Sequence, residues 1–465
     1  MKKILSLILI LCVLLTLSSC SQGEDGEPKY VFLFIGDGMS FNAVQLARDA
    51  NSARLEKQIP SELSFTDFDS VGVLTNYDRT SFIPDSASSG TSIATGIKTN
   101  TGMIAETSSG SEVDSIATLL KRELGMRVGI ITTANLNHAT PGVFYSHSSS
   151  RYNYYEIGSY LPRSDFDLFI GGEFLDPDNS GKSEHLISLA EKGGYTVLDT
   201  TEEIKGIDRN EKNVIIDPHC DSSGMMSFAI DRSGDAYSLA DYLALGIETL
   251  DCDDGFFIMC EGGRIDSALH ANDAATALGE INAFSDAVEA ALDFYKKHPD
   301  ETLILVTGDH ETGGLSLGYV GTGYDTHFEK LFSQKVSYLK FENDYVDGYK
   351  KENVPFEEIL PDIETLFGLS DMTDYEKDLL KAAYEKTLSG NGSYTEADTL
   401  AYSTRTPLTV EATRLAGRRA GVGFSTFVHT ASPVGIWAKG KFSETFAGTG
   451  DNTDVYNKLY SIFFK

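Results

Sequence analysis

The chain has 465 residues, 41% of them hydrophobic and 11% aromatic, which is enough to bury a large core and excludes a disordered chain. Lys and Arg number 38 against 69 Asp and Glu, for a formal net charge of −31. That excess argues against nucleic acid or an anionic membrane surface as a partner, and most of it reads as solvated surface.

The N-terminus reads as a targeting segment. Lys2 and Lys3 precede an apolar run from Ile4 to Leu17, too short for a comfortable membrane span and suited to a signal peptide. The run ends Leu17-Ser18-Ser19-Cys20, which resembles a bacterial lipobox. Residues 1–19 are therefore expected to be a lipoprotein signal peptide, Cys20 a lipidated cysteine, and 20–29 a polar tether. The expected location is outside the cytoplasm, anchored by lipid to a bacterial membrane and facing the periplasm or the cell exterior. Export implies an oxidising compartment, in which Cys220, Cys252 and Cys260 allow at most one disulfide.

Apolar strand candidates lie at Tyr30 to Ile35, Val128 to Thr132, Leu168 to Ile170, Phe256 to Met259 and Leu303 to Val306. Several of them end in glycine, aspartate or histidine. Between them lie helical patterns at Asp114 to Glu123, Ala236 to Leu250 and Asp273 to Lys297. Nearly continuous apolar strands alternating with helices predict an α/β fold: a three-layer α/β/α sandwich with a mostly parallel central sheet. Ligand sites in such sheets form at the carboxyl ends of the strands. Residues 318–420 interrupt this pattern and read as an inserted, mainly helical region, with helices at Phe356 to Phe367 and Asp374 to Leu388. The core pattern resumes with strand candidates at Gly423 to Val428 and Val434 to Ala438. The main domain is thus expected to comprise 30–317 plus 421–465, with 318–420 serving as a cap or an interface.

Five motifs sit at the strand ends. The first strand delivers Asp37 between Gly36 and Gly38. Pro84-Asp85-Ser86 opens a helix running to about Ala94, so the Ser86 hydroxyl meets free backbone amides and the positive end of the helix dipole, a setting that favours phosphate. His138 and Thr140 leave a strand two residues apart, followed by Arg151, whose guanidinium can fork onto two phosphoryl oxygens. Cys260-Glu261-Gly262-Gly263-Arg264-Ile265-Asp266 and His270 place one carboxylate at a strand end and a second at i,i+4 from an imidazole, a donor set that suits a divalent cation, zinc above all. Asp309-His310 and His429 add further oxygen and nitrogen donors. Taken singly, Gly-Asp-Gly reads as a turn, Asp85 and Ser86 as helix caps, Arg151 as a surface residue and His429 as structural.

Their order and spacing together are specific, and the chain resembles alkaline phosphatase over roughly Tyr30 to Leu317 and Gly421 to the C-terminus. The resemblance rests on Asp85-Ser86-Ala87, His138-Ala139-Thr140-Pro141, Glu261 to Asp266 and Thr307-Gly308-Asp309-His310-Glu311-Thr312-Gly313-Gly314. It implies hydrolysis of phosphate monoesters to alcohol and inorganic phosphate through a phosphoserine at Ser86, with Arg151 holding the phosphoryl group. It also implies two Zn2+ and one Mg2+: one zinc on Asp266, His270 and His429, the second on Asp37, Asp309 and His310, and magnesium on Asp37, Thr140 and Glu261. The implied assembly is a homodimer and the implied ligands are small phosphate monoesters. Two positions depart from the pattern. His138 stands where some relatives carry aspartate, which makes it a further candidate ligand and favours zinc over magnesium there. Ser267 stands where relatives often place a lysine or histidine that reaches phosphate.

Two alternatives make different demands. A phosphodiesterase or another hydrolase of the same superfamily needs room for a second ester group or a different nucleophile context; Ser86-Ala87-Ser88-Ser89-Gly90 lacks the C/S-x-P-x-R pattern of sulfatases. A non-catalytic lipoprotein that binds metal or phosphate would be missing a key residue, whereas here the nucleophile, the arginine and every expected ligand are present.

Overall fold

The computed structural model describes residues 26–57, 59–390 and 394–464. The signal peptide and Cys20 lie outside the described residues.

Ten strands form one sheet: β1 (Tyr30–Gly36), β2 (Ser70–Thr75), β3 (Arg127–Asn135), β4 (Leu168–Gly172), β5 (Tyr195–Leu198), β6 (Lys212–Ile216), β7 (Phe256–Gly262), β8 (Thr302–Gly308) and, beyond four two-residue strands, β13 (Val434–Gly440) and β14 (Gly448–Asp451). Their order is β14-β2-β13-β8-β1-β7-β3-β4-β6-β5. Among the described pairings β13 runs antiparallel to both neighbours, and the remaining pairs are parallel. The expected α/β sandwich with a mostly parallel sheet is the observed fold.

Strand alternation explains how both faces are covered. In β1, Tyr30, Phe32 and Phe34 enter one core, packed under the helices Phe41–Arg54, Leu239–Leu250 and Ala274–Tyr295. Val31, Leu33 and Ile35 enter the other, under Ser86–Thr95, Ile116–Leu124, Ala139–Tyr145 and Thr453–Phe463. β1 is therefore apolar on both faces, as a central parallel strand must be. β2 alternates buried and less buried positions, and β14 is Gly-Thr-Gly-Asp, held by backbone pairing without an apolar side chain. That is why apolar runs alone do not reveal either one.

The four short strands form two small ribbons: β9 (Glu311–Thr312) pairs with β12 (His429–Thr430), and β10 (Ser316–Leu317) with β11 (Val422–Gly423). The single strand expected at Gly423 to Val428 does not form. The chain between β11 and β12 is a loop whose amides turn back on Gly313: Ser425 and Thr426 N–H donate to the Gly313 carbonyl at 3.1 and 3.2 Å, and Gly313 N–H donates to Val428 O at 3.0 Å. Within 318–420, Phe341, Ile359, Ile363, Leu380, Tyr384 and Leu408 are part of a separate apolar cluster. Cys220, Cys252 and Cys260 are all free.

Candidate active site

The sheet places the candidate residues before any side-chain contact is considered. β8, β1, β7 and β3 are adjacent, with Gly36 level with both Gly262 and Gly308, and Glu261 level with Thr132. Asp37 and Asp309 therefore leave neighbouring strands at the same height, beside Glu261 near the end of β7. All three carboxylates are buried.

Hydrogen bonding divides each carboxylate into a held oxygen and a free one. Asp309 Oδ1 accepts from Gly38 N–H at 3.0 Å and His310 N–H at 2.9 Å, while its Oδ2 is buried without a partner. Thr140 Oγ1 lies 3.4 Å from Asp37 Oδ2, while Asp37 Oδ1 has no partner. Thr132 Oγ1 donates to Glu261 Oε2, and Glu261 Oε1 has no partner. Gly38 adopts φ +72°, and a Cβ there would fall 2.8 Å from Thr312 Oγ1 and 3.0 Å from Asp266 Oδ1, so glycine is needed to bring the turn this close.

The three imidazoles follow one rule. His270 Nδ1 bonds Phe427 O at 2.5 Å, His429 Nδ1 bonds Pro84 O at 2.8 Å, and His310 Nδ1 lies 3.2 Å from Thr312 Oγ1. A carbonyl accepts only from N–H, so in His270 and His429 the proton sits on Nδ1 and the Nε2 lone pair faces inward. His310 Nε2 is 3.1 Å from Ser86 Oγ and 3.3 Å from both Asp37 Oδ1 and Asp309 Oδ2. His270 Nε2 is 3.2 Å from Asp266 Oδ2 and from His429 Nε2. Donor atoms of Asp37, Asp309 and His310 converge within 4.8 Å, as do those of Asp266, His310 and His429 and those of Asp37, His138 and Glu261. His310 thus stands between the first two sets, its ring stacked 3.6 Å from that of His429.

Burial, joined by the neighbouring carboxylates, pushes Asp309 up to about 8 and holds Asp37 well above its ordinary range; burial pushes Glu261 up to about 7. Asp266 is buried too, yet His270, His429 and His310 around it bring it well below. Burial lowers His310 and His429, and burial beside Arg151 lowers His138 to about 3. Partnerless buried oxygens and inward imidazole lone pairs, crowded with like charge, are what divalent cations satisfy; the donor sets fit them.

Ser86 is the first residue of its helix. Asp85 caps that helix, accepting from Ser88 N–H at 3.0 Å, and its other oxygen, Oδ2, takes Arg151 Nη1 at 3.0 Å. Arg151 Nη2 lies 3.3 Å from His138 Nε2. The cap is therefore also the anchor of Arg151, a role that the sequence pattern does not disclose. Thr132 and Thr312 are likewise absent from the sequence candidates. Thr312 Oγ1 donates to Asp266 Oδ1 at 2.5 Å; it lies within the matched Thr307 to Gly314 run, and that position was the available signal. All eleven candidates, Asp37, Ser86, His138, Thr140, Arg151, Glu261, Asp266, His270, Asp309, His310 and His429, meet in this one region.

A family model for alkaline phosphatase matches residues 28–167 and 176–463. Alkaline phosphatase 3 of Bacillus subtilis (strain 168) is 31% identical over 452 residues, covering 94% of this chain and 90% of that protein. Alkaline phosphatase 4 of the same strain is 28% identical over 456 residues, covering 96% and 91%. The crystal structure of a cold-active alkaline phosphatase from the psychrophile Shewanella sp. matches with a TM-score of 0.78 at 27% identity, over 94% of this chain and all of that one. A TAB5 alkaline phosphatase mutant with aspartate in place of a histidine, with Mg bound in its M3 site, matches with a TM-score of 0.65 at 25% identity, over 94% and 98%. Fold, donor sets and relatives together define an enzyme, a metal-binding α/β hydrolase. The chain belongs to the alkaline phosphatase family.

Proposed function

We propose that this enzyme hydrolyses phosphate monoesters through a phosphoserine at Ser86. One observation carries the reading: the Ser86 hydroxyl lies within 3.1 Å of His310 Nε2, where the partnerless oxygens of Asp37 and Asp309 also converge. Asp266, His270 and His429 would hold one zinc and Asp37, Asp309 and His310 the second. Asp37, Thr140 and Glu261 would hold magnesium, with His138 beside them favouring zinc. Bound there, such ions supply Lewis acidity and offset charge on the attacking and leaving oxygens.

The chain's own groups do the rest. The helix N-terminus presents Ser86 with amides that favour the phosphoryl group's negative charge. Arg151, oriented by Asp85, forks onto two non-bridging oxygens and keeps phosphorus in line with Oγ. The Ser86 Oγ–P bond forms as the Oγ–H and ester O–P bonds break, and the alcohol leaves with, in net, the proton that Ser86 gave up. Water then attacks phosphorus on the face the alcohol vacated, and the Oγ–P bond breaks to release inorganic phosphate. The test is acid-quench trapping of phosphate on the protein during turnover of a chromogenic monoester, with the modified residue located by peptide mass. Label on Ser86 is expected; label elsewhere, or faster turnover of a diester, would overturn the proposal.

Export, lipid attachment through Cys20 and assembly as a homodimer belong to the same proposal. Their supports are the sequence of 1–20 and the family resemblance. Among the described residues no helix is long and apolar enough to cross a membrane. Palmitate labelling of the wild type but not of Cys20→Ser tests the anchor, and sedimentation of the protein without its anchor tests the dimer.

A further inference from the structure

We infer that Arg414, supplied by the 318–420 segment, is a positioning residue for His270 and His429, so that this segment is a working part of the cation site rather than only its cover. The inference rests on the reading that Asp266, His270 and His429 hold a cation.

The helix bearing His270, Arg264–His270, ends just before Ala271 and Asn272. Asn272 is fully buried with φ +53°, an unusual backbone state for a residue with a side chain. Its side-chain amide bonds in two directions, to Leu269 O at 3.1 Å and to Thr426 O at 2.9 Å. It thereby ties the end of the His270 helix to the loop that leads to His429. What fixes the amide is its own oxygen: Arg414 Nε and Nη2 both donate to Asn272 Oδ1, at 3.0 and 2.8 Å. Arg414 Nη1 is itself held by Ala401 O at 2.8 Å.

The same guanidinium lies 4.2 Å over the ring of Phe427. Phe427 O is the acceptor that sets the His270 tautomer, and Phe427 stands two residues before His429. A planar, five-donor group meets both demands at once, forking onto one oxygen while stacking on a ring; an ammonium cannot do both. Thr413 of the same helix, Pro407–Ala420, adds a long contact to Ala271 O at 3.4 Å. One side chain of the segment thus braces both imidazoles from behind without touching either.

The test uses the full zinc-loaded chain and follows zinc release into a chromogenic chelator. His270→Ala first identifies which zinc belongs to this set. Arg414→Lys and Arg414→Met should then release that zinc several-fold faster, short of the roughly tenfold or more that follows from losing a histidine's own hydrogen-bond partner. The other zinc should keep its rate and added zinc should restore turnover, while the metal-free Tm falls modestly because the buried Asn272 Oδ1 loses its donors. Phe427→Leu, which keeps the carbonyl and removes the ring, should shift release in the same direction even where an arginine variant fails to accumulate. Unchanged release in these variants, or equal acceleration of both zincs, overturns the inference alone. A wild type in which no zinc depends on His270 overturns the parent reading along with it.

Discussion

Removing the divalent cations should invert how stability depends on pH. Glu261 rises from its ordinary 4.5 to about 7 and Asp309 from 3.8 to about 8, both fully buried. In the metal-free protein the folded state keeps these protons through a range where the unfolded chain has already lost them. The folded state then binds more protons at these two groups, so their contribution to stability is fully present below the ordinary carboxylate range and is lost as pH rises toward 8. At about 1.4 kcal/mol per pKa unit, an effect on the order of a few kcal/mol follows, a sizeable part of a domain's stability. Cation binding requires the same carboxylates ionised, so the loaded protein should hold its stability or gain it over that window. The assay is thermal unfolding of chelated and of zinc- and magnesium-loaded protein from pH 5 to 8, above the range where ordinary surface carboxylates titrate. The gap in Tm should widen steadily with pH, and Glu261→Gln should make the chelated slope shallower. The imidazoles His138, His310 and His429 add an opposite slope below about pH 6.5 that both forms share. The gap is therefore the readout: a gap that stays level or narrows from pH 5 to 8 would refute the reasoning, because it would mean that the buried carboxylates do not sit together uncompensated.

Ser86→Ala should abolish turnover and phosphate labelling while leaving Tm and zinc content unchanged, since Ser86 Oγ has one partner among the described side chains, His310; full turnover in this variant would rule out the covalent route. Glu261→Gln should lower magnesium occupancy and cut kcat about tenfold or more, as loss of a charged ligand does at a metal site, read by metal analysis beside steady-state kinetics. Asp85→Asn keeps a competent helix cap but removes the charge facing Arg151, so KM for a monoester should rise with little loss of Tm; Arg151→Lys should do the same more strongly because the fork is lost.

The residues at the ends of apolar runs were legible because strand ends are legible. β1, β7 and β8 are continuous hydrophobic stretches; Asp37 comes directly after β1, Glu261 closes the apolar part of β7, and Asp309-His310 comes directly after β8. The i,i+4 spacing of Asp266 and His270 is likewise a property of the chain itself, and the structure brings their side chains to 3.2 Å. The acceptors that orient the imidazoles were not legible. Two are backbone carbonyls, at Pro84 and Phe427, and a carbonyl is present at every position, so no residue type advertises it. The failed strand at Gly423 to Val428 has the same origin. Its apolar residues fit a strand by pattern, but its backbone groups are used by Gly313 and by His270 instead. Arg414 lies 142 residues from Asn272 in a stretch without motif, and only the packing of the Pro407–Ala420 helix shows its purpose.

Sheet and loops contribute different things to this site. The carboxylates Asp37, Glu261 and Asp309 stand at or just beyond the ends of neighbouring central strands whose register is pinned by ladders on both sides, so their spacing cannot change without shearing the sheet. The imidazoles His270 and His429 are tied instead to loop carbonyls, and the Pro84 carbonyl that holds His429 is two residues before Ser86. The turn that delivers the hydroxyl is therefore the turn that aims one nitrogen donor. A shift in either one displaces the other. Substitutions in the Pro84 turn and at His429 should accordingly be strongly non-additive in metal-free stability, whereas substitutions at Glu261, held by Thr132 on the neighbouring strand, and in that turn should combine nearly independently. A double-mutant cycle on each pair separates the two cases. Equal coupling in both would mean that the loops are as rigid as the sheet, and that the division of labour drawn from these hydrogen bonds is wrong.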